Sequence, residues 1–324
     1  MPRGKRGRFA PFVIGTGLLA LTAALLAFAL YAAIIGDPPG PYLVTALLAG
    51  ALGLPTRLYG RSGQEPSRRE ALIGVLLLWS LIPAVGIVPY VLGAGMTPLN
   101  AFFESMSGFT ATGATAISDF ESVPAALFMW RAFTQWIGGI GIVVVFVAVF
   151  PQLAIAGRQI FNAELPGPTE DRITPRLRTT ALAVLTLYVG LSAACAFAYV
   201  LAGMDPYTAV AHAFTTVAAA GFSPEARSFE AYGPAVDWVA ITFMTLAAVN
   251  FALLFRAFMG RPRDLARDPE LRTYVAIVLI AGSLLSFHLI GTYEGTEILR
   301  HGFFHTISIL TTTGYASADF DAWP

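Results

Sequence analysis

The chain is 324 residues long, 56% hydrophobic and only 12% charged, with a mean hydropathy of +0.67 and 20 basic residues balancing 20 acidic ones. That composition leaves too little polar surface for a soluble globule and assigns the chain to a lipid bilayer. With a net charge of zero, no nucleic-acid partner is expected, and membrane lipids are the expected surroundings.

At the N-terminus Arg3, Lys5, Arg6 and Arg8 precede an apolar run at Phe12–Ile35. The run is too long for a signal-peptide core, and Gly36-Asp37-Pro38-Pro39 after it is no small-residue cleavage site, so a retained span is predicted. Further runs near the ~20 residues that cross ~30 Å of hydrocarbon fall at Tyr42–Tyr59, Ala71–Leu92, Pro124–Phe150, Thr179–Leu201, Ala235–Phe258 and Tyr274–Ile290. The predicted fold class is an all-α polytopic membrane protein.

Sorted by alternate loops, 17 of the 20 Lys and Arg lie on one side: at the N-terminus, Arg57 to Arg69, Arg158 to Arg178 and Arg256 to Arg272. The positive-inside rule makes these segments cytoplasmic. Only Arg131, Arg227 and Arg300 fall outside, with 12 of the 20 acids, among them Asp119, Glu121, Asp205, Glu225, Glu230, Asp237, Asp319 and Asp321. An outer vestibule rich in carboxylates concentrates cations; charged surface loops alone also account for the pattern.

Between the spans one pattern recurs three times. Glu104-Ser-Met-Ser-Gly-Phe-Thr-Ala-Thr-Gly113, His212-Ala-Phe-Thr-Thr-Val-Ala-Ala-Ala-Gly221 and His305-Thr-Ile-Ser-Ile-Leu-Thr-Thr-Thr-Gly314 align without gaps. Their glycines are 108 and 93 residues apart, enough for two spans and a re-entrant loop per unit. Each unit reads as span, outer half-helix, non-helical loop, span; in the first these are Ala71–Leu92, Pro98–Phe109, Thr110–Ala114 and Pro124–Phe150. Non-helical backbone at membrane depth has to be buried in protein or line a water-filled cavity, so the loops face one another around an axis. There, backbone carbonyls and threonine hydroxyls can replace the water shell of an alkali cation. The candidate ion-binding residues are Thr110, Ala111, Thr112 and Gly113; Ala218, Ala219, Ala220 and Gly221; and Thr311, Thr312, Thr313 and Gly314. Glycine accepts the positive φ that turns successive carbonyls one way, and each half-helix aims its negative end at the ion. Oxygen ligands without a carboxylate suit a monovalent ion, with potassium the natural candidate.

These residues resemble the membrane, ion-translocating subunit of Trk-type potassium uptake systems, in the Trk/Ktr/HKT superfamily. The resemblance rests on Phe103 to Thr115, Trp130 to Ile142, Glu164-Leu-Pro-Gly-Pro168 with Pro175-Arg176, His212 to Ser223, Arg267 to Arg272, and Thr311 to Pro324. It implies pseudo-symmetric repeats of span, pore helix, filter loop and span around a central pore, with two extra N-terminal spans. The expected segments are 1–69, the basic N-terminus and two peripheral helices; 70–157, the first pore repeat; 158–260, a linker and the second; and 261–324, a linker and an incomplete third. The resemblance also implies a bacterial inner-membrane location with a cytoplasmic N-terminus, a homodimer, and a cytosolic nucleotide-binding regulatory subunit. Ala220 stands where the family usually has a second glycine, which stiffens that loop. Family members continue through the rest of the third repeat and a fourth, so a truncated or split-gene fragment that does not transport alone is an alternative reading. A sodium- or sodium/potassium-transporting relative is another.

Glu104, His212 and His305 share one repeat position, read as the start of each pore helix, where the histidines are expected to cap it or face outer water. Arg131 is expected to pair with an acid such as Glu104 or Glu121, or to snorkel to the headgroups. Asn250, inside an apolar span, is read equally as an interhelical hydrogen-bonder or a cavity-lining residue. Gly138, Gly139 and Gly141 are read as helix-packing positions. The stretch Arg256 to Arg272, with Asp264, Asp268 and Glu270, is read as a solvated loop or a docking site. Cys195 has no second cysteine to join. No nucleophile–base pair, cofactor fingerprint or metal-ligand cluster is present, so neither an enzyme nor a cofactor is expected.

Overall fold

The computed structural model describes residues 9–60, 68–141 and 173–324. The basic N-terminus, the loop from Arg158 and the Glu164-Leu-Pro-Gly-Pro168 motif lie outside the described residues. The chain forms two compact units, Met1–Thr110 with Ala114–Thr134, and Ala111–Gly113 with Gln135–Pro324.

In the first unit α1 (Phe9–Ile35) and α2 (Gly40–Tyr59) form an antiparallel pair. Gly36 ends α1 at φ 87, and Asp37 turns its carboxylate to the Ala126 amide at 2.7 Å. Small residues bring the pair together: a Cβ on Gly53 would lie 2.9 Å from the Leu18 Cβ and 3.3 Å from the Gly15 carbonyl. The span that follows is interrupted. α3 (Arg68–Val85) gives way at Gly86-Ile87 to α4 (Val88–Ala94), with Pro83 and Pro89 flanking the break. The Pro83 carbonyl there accepts the Ser105 hydroxyl at 2.8 Å, from α5 (Pro98–Phe109). Helix α6 is described over 125–141. Its Trp130 is fully buried among Phe28, Tyr42, Phe109 and Phe133, so one aromatic cluster ties α1, α2, α5 and α6.

The second unit contains α7 (Ile173–Leu201), α8 (Pro206–Val217), α9 (Pro234–Ala247), α10 (Phe251–Phe258), α11 (Pro262–Arg267), α12 (Pro269–His288) and α13 (Thr296–Leu310). Its core joins Tyr188, Cys195 and Tyr199 of α7 to Phe229, Met244, Phe304 and Tyr315. The predicted span Ala235–Phe258 is not continuous. It breaks between α9 and α10, where the Asn250 carbonyl accepts the Leu253 and Leu254 amides at 2.9 and 3.0 Å. Asn250 thus starts a new helix, a place its polar side chain favours over a helix interior.

Four described helical stretches are long and apolar enough to cross a membrane: Phe9–Ile35, Leu72–Ala94 (which runs through the break between α3 and α4), Leu182–Leu201 and Pro269–His288. α2 is long enough but less apolar, carrying Pro41, Tyr42, Thr45, Thr56 and Arg57. No sheet occurs among the described residues, only an isolated bridge between Ile290 and Tyr293.

The short helices α5 and α8 start alike, with a capping side chain and then proline. Thr97 accepts the Asn100 amide, and Asp205 accepts the Tyr207 and Thr208 amides. Burial pushes the Asp205 carboxyl up, but the Thr208 hydroxyl and the two amides outweigh it and hold it below the usual carboxylate range. The cap therefore contributes in full above the ordinary aspartate pKa and is lost as pH falls through the depressed one. Asp205→Ala is expected to lower stability by about 1 kcal/mol, read as a shift in thermal unfolding of the detergent-solubilised protein.

Candidate functional site: three glycine-ended loops

The three candidate loops follow α5, α8 and α13 directly and share their backbone torsions. The first residue of each, Thr110, Ala218 and Thr311, continues the helix with φ of −92, −76 and −84. The second, Ala111, Ala219 and Thr312, lies in the left-handed region at φ 54, 52 and 62. The fourth, Gly113, Gly221 and Gly314, returns to positive φ at 83, 79 and 82.

The glycine torsions match the sequence expectation. The second position does not follow from it, because alanine and threonine disfavour positive φ by roughly 1–2 kcal/mol. The helix end supplies the reason. After α8 the Ala219 amide donates to the Thr216 carbonyl at 3.0 Å and the Ala220 amide to the Thr215 carbonyl at 2.9 Å, a Schellman cap built on an alanine. Ala220, in place of the family's glycine, is the third residue and is not in the left-handed region, so its methyl adds no strain there. Ala219→Gly is expected to stabilise the loop by about 1 kcal/mol, checked by thermal unfolding.

Within the second unit the loops lie side by side. A Cβ on Gly113 would overlap the Ala220 carbonyl oxygen, and a Cβ on Gly221 would overlap the Thr313 carbonyl oxygen. Loop one therefore abuts loop two, and loop two abuts loop three. A Cβ on Gly314 would have nothing within 4 Å. Gly139 makes a further close approach, its Cβ position 3.2 Å from Ala218 and 2.6 Å from the Tyr188 hydroxyl. It is a packing glycine, as its sequence suggests.

Several polar groups of the loops are already committed. The Thr110 hydroxyl donates to the Met106 carbonyl at 2.7 Å, and the Thr311 and Thr313 hydroxyls meet at 2.8 Å. The Ala220 carbonyl accepts the Gln135 side-chain amide at 2.8 Å. The Tyr315 hydroxyl, just past Gly314, contacts the hydroxyls of Thr215 and Thr216 and the His212 carbonyl on α8.

Glu104, His212 and His305 lie inside their helices, not at the starts, and all three are buried. This corrects the expectation of helix caps or water-facing groups. A group one or two turns into a short helix reaches the chain that returns past the glycine. Glu104 accepts the Thr115 hydroxyl at 2.6 Å and the Ala116 amide, and Arg131 reaches it at 3.0 Å. Arg131 is 1% exposed and does not snorkel. His212 sits between the Thr208 carbonyl at Nδ1 (2.8 Å) and the Ser223 hydroxyl at Nε2 (3.0 Å). A carbonyl partner requires Nδ1 to carry the proton, so Nε2 accepts from Ser223.

The third repeat departs from this pattern. His305 Nδ1 faces the His301 carbonyl at 3.0 Å, but Ala316 stands where the other repeats have Thr115 and Ser223, so no side-chain hydroxyl returns to this ring and the backbone at Ala318 lies beside it instead.

The residues least legible beforehand are the left-handed second positions and Gln135. In the sequence Gln135 stands out only as an amide next to Thr134, four residues after Arg131, in a mostly apolar segment.

The family model described as "TrkH: Cation transport protein" matches residues 58–324. The Trk system potassium uptake protein TrkH of Vibrio parahaemolyticus serotype O3:K6 is 35% identical over 329 residues, covering 96% of this chain and 67% of that protein. TrkH of Escherichia coli strain K12 is 32% identical over 326 residues, with the same coverage. The crystal structure of the potassium transporter TrkH from Vibrio parahaemolyticus superposes with a TM-score of 0.86 at 32% identity, covering 98% of this chain and 67% of that one. The chain spans about two thirds of the length of these relatives. It belongs to the TrkH family of multi-pass membrane cation transport proteins, in the Trk/Ktr/HKT superfamily, and not to an enzyme family.

Proposed function

We propose that this protein serves potassium uptake across the bacterial cytoplasmic membrane through a gated, channel-like pathway, with Thr110–Gly113, Ala218–Gly221 and Thr311–Gly314 as its ion-selecting loops. The observation that carries this reading is the shared torsion pattern of three loops lying side by side, each at the C-terminal end of a short helix. Alternating sign of φ turns successive carbonyls toward one side, where they can stand in for an ion's hydration shell. The helix ends add negative potential.

The reading carries the rest of the sequence expectations as proposals. Repeats at 70–157, 158–260 and 261–324 follow a peripheral segment at 1–69. The N-terminus is cytoplasmic, and a homodimer works with a cytosolic nucleotide-binding subunit. Charge pairing supports the outer assignment of the loops. The three outer-side cations are each matched to an acid, Arg131 to Glu104, Arg227 to Glu230, and Arg300 to Asp237 at 3.4 Å. Asp119, Glu121, Glu225, Asp319 and Asp321 form no ion pair among the described residues. They leave negative charge to gather cations.

The test is rubidium and sodium uptake by the full-length protein in cells lacking other potassium uptake. Gly113→Ser is expected to lower discrimination against sodium; an unchanged ratio would falsify the assignment of that loop.

A further inference from the structure

The second loop is held by a side chain from outside its own repeat. Gln135, on α6 and fully buried, donates its Nε2 to the Ala220 carbonyl at 2.8 Å and accepts the Phe222 amide on Oε1 at 3.0 Å. The two bonds flank Gly221 and repeat what a neighbouring strand would do, with one side-chain amide replacing a peptide group. The held carbonyl is the one that lies against Gly113. The amide therefore fixes both the height of the second loop and its spacing from the first.

We propose that Gln135 is a positioning residue for ion discrimination, holding the Ala220–Phe222 segment at a fixed distance from Gly113 so that the site cannot contract around a smaller cation. The inference rests on the proposed role of the three loops. The clamp falls where the loop most needs support. Gly221 permits free backbone rotation at that point, and Ala218, Ala219 and Ala220 supply no hydroxyl to bond the loop internally, unlike Thr311 and Thr313 in the third loop. Glutamine is the fitting residue because the site demands one donor and one acceptor side by side on a rigid plane, the geometry of a primary amide. A glutamate offers two acceptors when ionised and one of each when protonated. The Gln135→Glu variant is therefore a switchable version of the clamp.

The experiment measures rubidium-over-sodium uptake by the full-length protein from acid to alkaline pH in wild type, Gln135→Leu and Gln135→Glu. The wild-type ratio is expected to be flat with pH. Gln135→Leu, which keeps the bulk and removes both bonds, is expected to lose about tenfold in discrimination at every pH, a ratio within the range for losing a pair of buried hydrogen bonds. Gln135→Glu is expected to match wild type in acid, where the protonated carboxyl restores both bonds, and to fall toward Gln135→Leu as pH rises. A role in folding alone would change the amount of protein in the membrane without producing that pH profile. If Gln135→Leu does not accumulate, the Gln135→Glu profile decides by itself.

Wild-type discrimination in Gln135→Leu, or a pH-independent Gln135→Glu, overturns the proposal. Gly221→Ser, measured alongside, separates the two levels. If it too leaves the ratio unchanged, the loop is no filter and the proposed function fails; if it alone alters the ratio, only the role of Gln135 fails.

Discussion

Gly221→Ala is expected to abolish selective uptake, with rubidium transport falling at least tenfold and discrimination against sodium lost. Two costs act together. The backbone at φ 79 is disfavoured for any L-side chain by roughly 1–2 kcal/mol. The added methyl would also overlap the Thr313 carbonyl oxygen, a backbone atom that cannot swing away as a side-chain end does. The second and third loops would have to separate, and carbonyls that replace a hydration shell work only at the spacing they are built for. Gly95→Ala, at φ 63 with nothing within 4 Å of its Cβ position, carries the torsional cost alone. It is expected to lower stability by about 1 kcal/mol and leave discrimination intact. Rubidium and sodium fluxes for the two variants, normalised to protein in the membrane, give the comparison. Equal losses in both would show that the loop-to-loop approach has no bearing on selectivity.

Arg131→Ala is expected to destabilise the protein by about 3–5 kcal/mol, the range for stripping the partner from a buried charge. Glu104 and Arg131 are 0% and 1% exposed, so neither has water to fall back on. The carboxylate also accepts the Thr115 hydroxyl and the Ala116 amide, and the Thr115 hydroxyl accepts from Arg131 at 3.1 Å. Loss of the guanidinium therefore loosens the chain two residues past Gly113. Glu104→Gln combined with Arg131→Met is expected to recover more than half of the loss, because the amide still accepts from Thr115 and Ala116 while no charge is left buried. Thermal unfolding of the single and double variants in detergent measures this. A double variant as unstable as Arg131→Ala would place the cost in lost packing on Phe120 and Phe128 instead.

Much of the architecture is readable in the sequence because membrane insertion imposes hard rules on it. An apolar run long enough to cross, a proline-started half-helix and a glycine after it each reflect one local requirement. The half-helix at Pro98–Phe109 and the positive φ at Gly113, Gly221 and Gly314 follow from such requirements alone. The break at Asn250 was hidden by apolar residues on both sides, since hydropathy averages over a window and one polar residue does not shift it.

The partners of Glu104, His212 and His305 were unreadable for a different reason. Position within a repeat says which residues correspond, but what each touches depends on the path of the chain after the glycine, and only folding brings Thr115 and Ser223 back to them and leaves Ala316 in the equivalent place. The left-handed alanines and threonine likewise answer to the C-terminal carbonyls of their helices, which demand capping whatever residue stands there. Gln135 is the clearest instance. Local sequence places an amide in an apolar helix, where burial obliges it to find both a donor and an acceptor. That it finds them on a loop 85 and 87 residues away is decided by the tertiary fold, which alone brings α6 against the backbone on either side of Gly221.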